Sequence, residues 1–346
     1  MSDWLTDVEL PLPLVALNAA LLLLVVVRVY LLGLAMRSGS SCAAANSSKS
    51  GEQGHSSAVD PLTHLRSLPP LPLAPDLQKS VNQLRRFVSA GMALSSAERA
   101  VLDDDAWCCR FLIARNWDVP KAAEMMSRAM QWRVSRKPIA PLSDGGTAAA
   151  RLLEHESATG KVWCAPGLDR HGRCVVIFDN SVQNTADQRN QMLLLAFTLE
   201  FALRHATADV DKICLVIKLQ NFSLLNSPPW ATTKETLQIL TGCFPETLGH
   251  AIAYRPPSIF QSLWRVAGPL LDRKTHSKVA FVTGSSEPGG ANDRLMNEVI
   301  GANWREMTGC ELPVRSPGCT SGFEPREYWD SILARDREYT LGSRAG

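Results

Sequence analysis

The chain has 346 residues, a formal net charge of +2, and 45% hydrophobic against 20% charged residues. This is a globular balance, long enough for one large domain with appendages or for two domains, and it gives no support for a nucleic-acid partner. The nine cysteines form no CxxC pair and no Cys/His ligand spacing, which argues against a zinc site and favours a reducing compartment.

The first element in the chain is an apolar segment that we predict to cross a membrane. The mostly apolar run from Leu10 to Val27 would span about 27 Å as a helix, close to the thickness of a bilayer core. Basic residues follow the run and acidic residues precede it, which favours a cytosolic C-terminal part. We therefore predict a tail at 1–9 and a single-pass anchor at 10–36, with the endoplasmic reticulum or another endomembrane favoured. A cleaved signal peptide or a buried helix is the alternative.

Residues 37–77 are predicted to be a flexible linker. Their first half is rich in serine and glycine, and prolines crowd the second half. Such a composition cannot build a core. A spacer is the favoured role, and a ligand for a domain that binds proline-rich segments is the alternative.

Residues 78–140 are predicted to form a helical subdomain. The acidic run Asp103 to Asp105 stands where a helix should start, before WCCRFLIAR, because carboxylates are favourable at helix N-termini. Asp118 can cap the next helix, with Pro120 in its first turn.

Residues 141–315 change to an alternation of strands and helices, and 316–346 are predicted to be a C-terminal tail. GKVWCAP and GRCVVIFD indicate a hairpin with Gly172 in its turn. The following elements are predicted as helix near 187–206, strand 213–219, helix near 230–243, strand 250–254, helix 256–271, strand 278–283 and a closing helix. This alternation indicates an α/β fold with a mainly parallel β-sheet.

The helix predicted at 256–271 carries a wide apolar face. Its apolar side chains cover an arc of about 160°, whereas a helix packed on one sheet needs only about 100°. The surplus is what a movable lid over an apolar pocket would need. A surface helix that also meets neighbouring elements is the alternative.

The order of the motifs resembles the CRAL-TRIO family of lipid-binding and lipid-transfer proteins. The resemblance covers about residues 80–330 and is carried by RFLIARNWDVPKAAEMMSRAMQWR, LQNFSLLNSPP, ETLQILTGCFPETLGHAIAYRPPSIFQSLWRVAGPLLDRKTHSKVAFV and LPVRSPGC. It implies a lipid cavity enclosed between the sheet and helices, behind a helical N-terminal subdomain. It also implies a gate helix at about 256–271, lined by Ile259, Phe260, Leu263, Trp264, Ala267, Leu270 and Leu271.

The resemblance also implies a phosphoinositide headgroup site made of Arg115, Glu246, Thr275 and Lys278. In phosphatidylinositol-binding relatives these positions end the RFLRAR-type motif, lie in the YPER-type motif and form a Thr-x-x-Lys pair after the gate. Their chemistry fits, because the arginine and the lysine can neutralise a phosphate. The threonine can donate to the ligand, and the glutamate can accept from inositol hydroxyls.

Several positions depart from the family pattern. Ile113 and Asn116 replace basic residues, and Thr247 replaces the one after the glutamate. Lys218 stands where relatives often have aspartate, Asn221 stands where they have glycine, and Gly318-Cys319 replaces a glycine pair. These changes weaken the choice of ligand, so phosphatidylcholine, a sterol or another hydrophobe stays open.

The resulting hypothesis is a membrane-anchored protein that binds and transfers phosphatidylinositol, exchanging it with phosphatidylcholine. The alternative is a lipid sensor or scaffold that transfers nothing and recruits a partner. An enzyme is disfavoured, because the sequence has no GxxxxGK[ST], GxSxG or HExxH motif. No cofactor is expected other than a bound phospholipid. We expect a monomer, with a lipid kinase or a binder of proline-rich segments as candidate partners.

Overall fold

The computed structural model describes residues 68–136, 147–180, 182, 187–207, 209–220, 230–258 and 278–345. The predicted anchor at 10–36 and most of the predicted linker lie outside these residues. Within the described ranges, no helix has both the length and the hydropathy needed to cross a bilayer.

Four helices build the N-terminal part. They are α1 (Pro75–Ala90), α2 (Ser96–Asp103), α3 (Asp105–Ala114) and α4 (Val119–Arg136). Asp104 caps α3 by accepting hydrogen bonds from the backbone N–H groups of Ala106 and Trp107. Asp118 accepts one from the N–H of Lys121 at 3.1 Å. Both predicted helix starts are therefore confirmed.

The remaining elements alternate between helices and strands. In chain order they are α5 (Ala148–Ser157), β1 (Val162–Leu168), β2 (Cys174–Asp179), α6 (Gln188–Arg204), β3 (Ile213–Lys218), α7 (Trp230–Gln238), a π-helical turn (Ile239–Cys243), β4 (Leu248–Tyr254), β5 (Val279–Val282), α8 (Ala291–Val299), α9 (Trp304–Thr308) and α10 (Pro325–Ala345).

The five strands form one mixed sheet in the order β1-β2-β3-β4-β5. β1 and β2 are antiparallel, and the pairs β2–β3, β3–β4 and β4–β5 are parallel. The predicted hairpin and the mainly parallel sheet are confirmed. Gly172 in the hairpin turn has φ of +75°, and a Cβ there would lie 1.8 Å from Thr207 Oγ1, so the turn requires glycine.

The two faces of the sheet pack against different helices. The first face carries residues such as Val176 and Leu215, and it shares a core cluster with α4 and α6. The second face carries residues such as Ile177 and Val216, and it packs against α8 and α9. Successive strand residues point to opposite faces, so both clusters follow from near-continuous apolar strands.

Three helices, α5, α9 and α10, lie where none was predicted. α5 buries Ala150 and Leu153 in the first cluster. α10 occupies most of the predicted tail at 316–346, and its Trp329 and Ile332 join the same cluster. The spacing of these two residues, three apart on one helical face, is the signal that could have identified α10.

Candidate functional site

Five charged residues converge where β3, β4 and β5 begin. This Glu246 cluster consists of Arg110, Asp211, Lys212, Glu246 and Lys278. Asp211 and Lys212 directly precede β3, Glu246 lies two residues before β4, and Lys278 directly precedes β5. The three strands are parallel neighbours, so their amino ends meet at one edge of the sheet. Arg110 reaches this edge from α3.

Two cations hold the backbone of Glu246. Arg110 Nη1 donates to its carbonyl at 3.1 Å, and Lys212 Nζ donates to the same carbonyl. Arg110 Nη2 donates to the carbonyl of Asp211 at 2.8 Å. Glu246 has φ of 58°, a left-handed conformation that is uncommon outside glycine. These two charge-assisted hydrogen bonds stabilise the left-handed backbone conformation of Glu246. The Glu246 side chain is 14% exposed.

Lys278 lies at the same edge of the sheet. Its Nζ donates to the carbonyl of Leu248 at 2.9 Å. Its charge is one of those that lower the pKa of Lys212. The structure therefore brings together two of the predicted headgroup residues, Glu246 and Lys278.

Lys212 is a buried cation at the amino end of β3. It is 3% exposed. Its Nζ lies 3.8 Å from Asp211 Oδ1 and 3.9 Å from Glu246 Oε2, both beyond ordinary hydrogen-bond distance. The pKa of Lys212 is lowered to about 8, chiefly by burial; Asp211 and Glu246 oppose the shift, and Lys278 and Arg110 add to it.

Arg115 lies in a different charged neighbourhood. It follows the last residue of α3, five residues beyond Arg110, and its Nη1 donates to the carbonyl of Ala114 at 3.0 Å. Burial and then the charge of Arg128 lower its pKa. Glu124 opposes this shift, but its carboxylate is paired with Arg128. Arg115 is thus a partly buried cation whose nearby acid is already engaged.

The other predicted site residues lie outside the described part of the chain. These are Thr275 and the gate residues Ile259, Phe260, Leu263, Trp264, Ala267, Leu270 and Leu271.

The departures from the family pattern have separate structural roles. Ile113 packs against the first core cluster. The Oγ1 of Thr247 donates to the carbonyl of Phe244 at 2.8 Å and closes the turn before β4. Lys218 is fully buried and forms an ion pair with Asp179 at 2.9 Å. In these contacts, none of the three side chains touches a member of the Glu246 cluster.

Sequence reasoning missed Arg110 and Lys212. Arg110 opens the RFLIAR motif, but its burial on α3 is not visible in a helical pattern. Lys212 directly precedes an apolar strand, and a lysine in that position is usually exposed. A charged residue flanking a fully buried strand is the signal that could have drawn attention to it.

A row of apolar side chains lies on the first face of the sheet. Phe178, Ile217, Ala253 and Phe281 are direct partners across four neighbouring strands and form what we name the open row. Phe178, Ile217 and Phe281 are only partly buried. The row next to it on the same face buries Val176, Leu215 and Ala251. Ile217 lies five residues beyond Lys212, roughly 16 Å along β3.

A cleft of about 480 Å³ opens elsewhere, between α4, α6 and α7. Its central carboxylate, Glu235, accepts hydrogen bonds from Trp132, Arg136 and Gln188. These donors satisfy the charge within the protein. Over the described ranges, no group of three His, Cys, Asp or Glu side chains could hold a metal ion.

Residues 158–299 match the family model of the CRAL/TRIO domain. This part of the chain is therefore a CRAL-TRIO domain, as the order of the motifs predicted.

Relatives support this assignment. The chain is 26% identical over 180 residues to the phosphatidylinositol transfer protein CSR1 of Eremothecium gossypii, which covers 50% of this chain and 41% of that protein. It is 23% identical over 229 residues to the CRAL-TRIO domain-containing protein T23G5.2 of Caenorhabditis elegans, which covers 62% of this chain and 31% of that protein. The chain thus spans less than half the length of both relatives. A crystal structure of Sfh5 aligns with 76% of this chain and 97% of its own at 14% identity and a TM-score of 0.45.

Proposed function

We propose that this protein binds phosphatidylinositol, with the headgroup at the Glu246 cluster and the acyl chains along the open row. The observation that carries the proposal is the pairing of these two surfaces on one sheet. A cluster of three cations and two carboxylates marks the amino ends of β3 to β5. A partly accessible apolar row crosses the same strands toward their carboxyl ends. An amphiphile with an anionic headgroup matches both.

The headgroup chemistry follows from the groups available. The carboxylate of Glu246 can accept hydrogen bonds from inositol hydroxyls, and the ammonium of Lys278 can neutralise the phosphate. Arg115 supports the proposal as a second phosphate ligand, because its guanidinium is partly buried beside Arg128 while Glu124 is engaged elsewhere. Thr275 belongs to the proposal as a hydroxyl donor.

The open row supplies the apolar contribution. Each methylene moved from water to an apolar surface contributes about 0.8 kcal/mol. Two acyl chains therefore provide a large driving force, and they need a continuous apolar floor. Phe178, Ile217 and Phe281 offer a floor whose side chains are only partly buried. The gate helix at 256–271 belongs to the proposal as the element that covers the chains.

The relatives add weight to this choice of ligand. The similar protein of Eremothecium gossypii is named a phosphatidylinositol transfer protein, and the shared family makes lipid transfer the favoured activity over catalysis. We include exchange with phosphatidylcholine in the proposal. The proposal also keeps the domain boundaries predicted after residues 77, 140 and 315.

The cellular setting forms a further part of the proposal. An anchor at 10–36 and a linker at 37–77 would hold the lipid-binding domain near its own bilayer, on the cytosolic side. A flexible linker of n residues reaches roughly 5–6 Å × √n. This arrangement suits a monomer that presents lipid to a nearby lipid kinase or exchanges it across a narrow contact.

The test is to purify the full chain from cells and to identify the lipid that copurifies by mass spectrometry. We expect phosphatidylinositol at near one molecule per protein. The variants Glu246→Ala and Lys278→Ala should lose it by at least about tenfold, because each removes a charge-assisted contact worth about 1.5–3 kcal/mol. Arg315→Ala is the matched control, since Arg315 pairs with Glu327 at the exposed surface.

Retention of phosphatidylinositol by both variants would show that the headgroup lies elsewhere. A wild-type protein that carries no lipid would overturn the proposal itself. Transfer of the lipid between vesicles separates carriage from display, because a sensor or scaffold would bind phosphatidylinositol without moving it.

A further inference from the structure

The turn that carries Glu246 is held at both of its ends. At the first end Phe244 is 1% exposed, and its ring packs edge-on against Trp107 of α3, with the ring centroids 5.3 Å apart. At the second end the N–H of Ile213, the first residue of β3, donates to the carbonyl of Thr247 at 2.8 Å. Glu246 therefore lies in a turn fixed between the N-terminal helices and the sheet.

Arg110 of α3 holds the middle of this turn. Its guanidinium is buried and donates from Nη1 to the carbonyl of Glu246 at 3.1 Å and from Nη2 to the carbonyl of Asp211 at 2.8 Å. The fork of a guanidinium is rigid and planar, so these two bonds set the spacing between the turn before β4 and the segment before β3. The direction of the Glu246 carbonyl depends on the ψ angle of Glu246. A donor that fixes this carbonyl therefore also fixes the left-handed backbone from which the carboxylate projects.

The placement of the Glu246 carboxylate matters more for one headgroup than for another. Inositol hydroxyls can donate hydrogen bonds to it, and hydrogen bonds weaken steeply when their geometry is disturbed. The quaternary ammonium of choline has no N–H or O–H to donate, and its attraction to a carboxylate does not depend on direction. A displaced carboxylate should therefore weaken phosphatidylinositol binding and change phosphatidylcholine binding little.

We propose that Arg110 is a positioning residue of the headgroup site, through which the N-terminal helices set the preference for an inositol over a choline headgroup. This inference rests on the proposed function. Arg110 acts on the lipid through Glu246, whose backbone it holds, and Glu246 is the residue that accepts from the headgroup.

Arg133 of α4 provides a matched control. It is as buried as Arg110, and both guanidinium groups lie over the ring of Trp107, at 5.5 Å and 5.9 Å from its centroid. Arg133 pairs with the carboxylate of Glu200 on α6. Arg133→Met thus removes a buried guanidinium from the same aromatic ring and leaves intact the two carbonyl contacts that Arg110 makes.

The experiment purifies full-chain variants from the same cells and measures copurifying phosphatidylinositol and phosphatidylcholine by mass spectrometry. Arg110→Met should lower the ratio of phosphatidylinositol to phosphatidylcholine about tenfold with total bound lipid unchanged, whereas Arg133→Met should keep the wild-type ratio. Arg110→Lys keeps the test decisive if the methionine variant does not fold. Its single ammonium replaces the fork and should lower the ratio about threefold, and a wild-type ratio in Arg110→Lys would contradict the proposal.

A double variant separates placement of the carboxylate from a general effect on the fold. Glu246→Ala should lower the ratio by itself. Adding Arg110→Met should then lower it no further, because the carboxylate that Arg110 positions is gone. Independent effects would multiply, so a further drop of about tenfold in the double variant would contradict the positioning role.

The remaining outcomes distinguish this inference from the proposed function. A wild-type ratio in Arg110→Met, with phosphatidylinositol still lost in Glu246→Ala, removes the positioning role alone. An equal loss of both lipids in Arg110→Met assigns Arg110 to the fold and not to headgroup preference. A wild-type protein that carries neither lipid removes the proposed function as well.

Discussion

A buried lysine lies at each end of strand β3, and the two lysines have different partners. At the carboxyl end Lys218 is fully buried and lies 2.9 Å from Asp179 Oδ2. Its Nζ also donates to Thr320 Oγ1 at 3.0 Å and to Ser321 Oγ at 2.9 Å. At the amino end Lys212 is also buried, and its ammonium donates to the neutral carbonyl of Glu246, with Asp211 Oδ1 at 3.8 Å and Glu246 Oε2 at 3.9 Å.

The difference between Lys218 and Lys212 shows that the groups around a buried charge decide what it does for the fold. A cation whose partners are complete stabilises the segment that supplies them, here the loop that carries Thr320 and Ser321. Burial destabilises the charged form of Lys212, and its pKa is lowered to about 8. The two buried lysines at the ends of one strand therefore differ in the groups that surround them.

The largest effect should come from Lys218→Met. This change removes the ion pair of the buried Asp179 carboxylate, and we expect a loss of about 3–5 kcal/mol in the free energy of unfolding, measured by urea denaturation. Lys212→Met should cost less than about 1 kcal/mol, because the two cations and two carboxylates that remain in the Glu246 cluster balance. Adding Asp179→Asn to Lys218→Met should recover part of the loss. Equal costs for the two lysine variants would contradict the comparison.

The pH dependence of stability should show an intermediate effect. The pKa of Lys212 is about 8 in the folded protein and 10.5 as the ordinary value. Between these pH values the unfolded chain binds more protons, so stability should rise with pH, by up to about 3 kcal/mol. Lys212→Met should lack this contribution in urea denaturation at about pH 7.5 and pH 9.5. Lys161 contributes a slope of the same sign in both proteins, so only their difference reports on Lys212. Parallel stability curves for the two proteins would show that Lys212 is not destabilised by burial.

The smallest effect should come from single hydroxyls at the two ends. Thr320 Oγ1 accepts from the Lys218 ammonium and donates to Asp179, so Thr320→Val should cost about 2 kcal/mol in thermal or urea unfolding. Thr247 Oγ1 donates to the carbonyl of Phe244, which is neutral. Thr247→Val should therefore lower the free energy of unfolding by about 1 kcal/mol. A larger loss for Thr247→Val than for Thr320→Val would reverse the contrast between the charged and the neutral setting.

The parts of the fold that could be predicted are those with a strong local pattern. The apolar runs that became β2 and β3, and the acidic caps at Asp104 and Asp118, depend on short-range chemistry that a sequence displays. α5 and α10 were missed, because their apolar faces are short or are interrupted by charged residues. Glu246 and Lys278 were expected to lie together, and both belong to the Glu246 cluster. Arg115 instead lies near Arg128 and Glu124.

The sequence by itself determined the alternation of strands and helices and the presence of a CRAL-TRIO domain, since each follows from periodicity or motif order. Only the tertiary structure decided what the two lysines that flank ICLVI do. Their carboxylate partners come from other strands and turns, Asp179 at the end of β2 and Glu246 before β4. The sequence neighbour of Lys212, Asp211, lies at a similar distance, 3.8 Å from its ammonium. The charge state of a buried site therefore depends on distances that only the packed sheet sets.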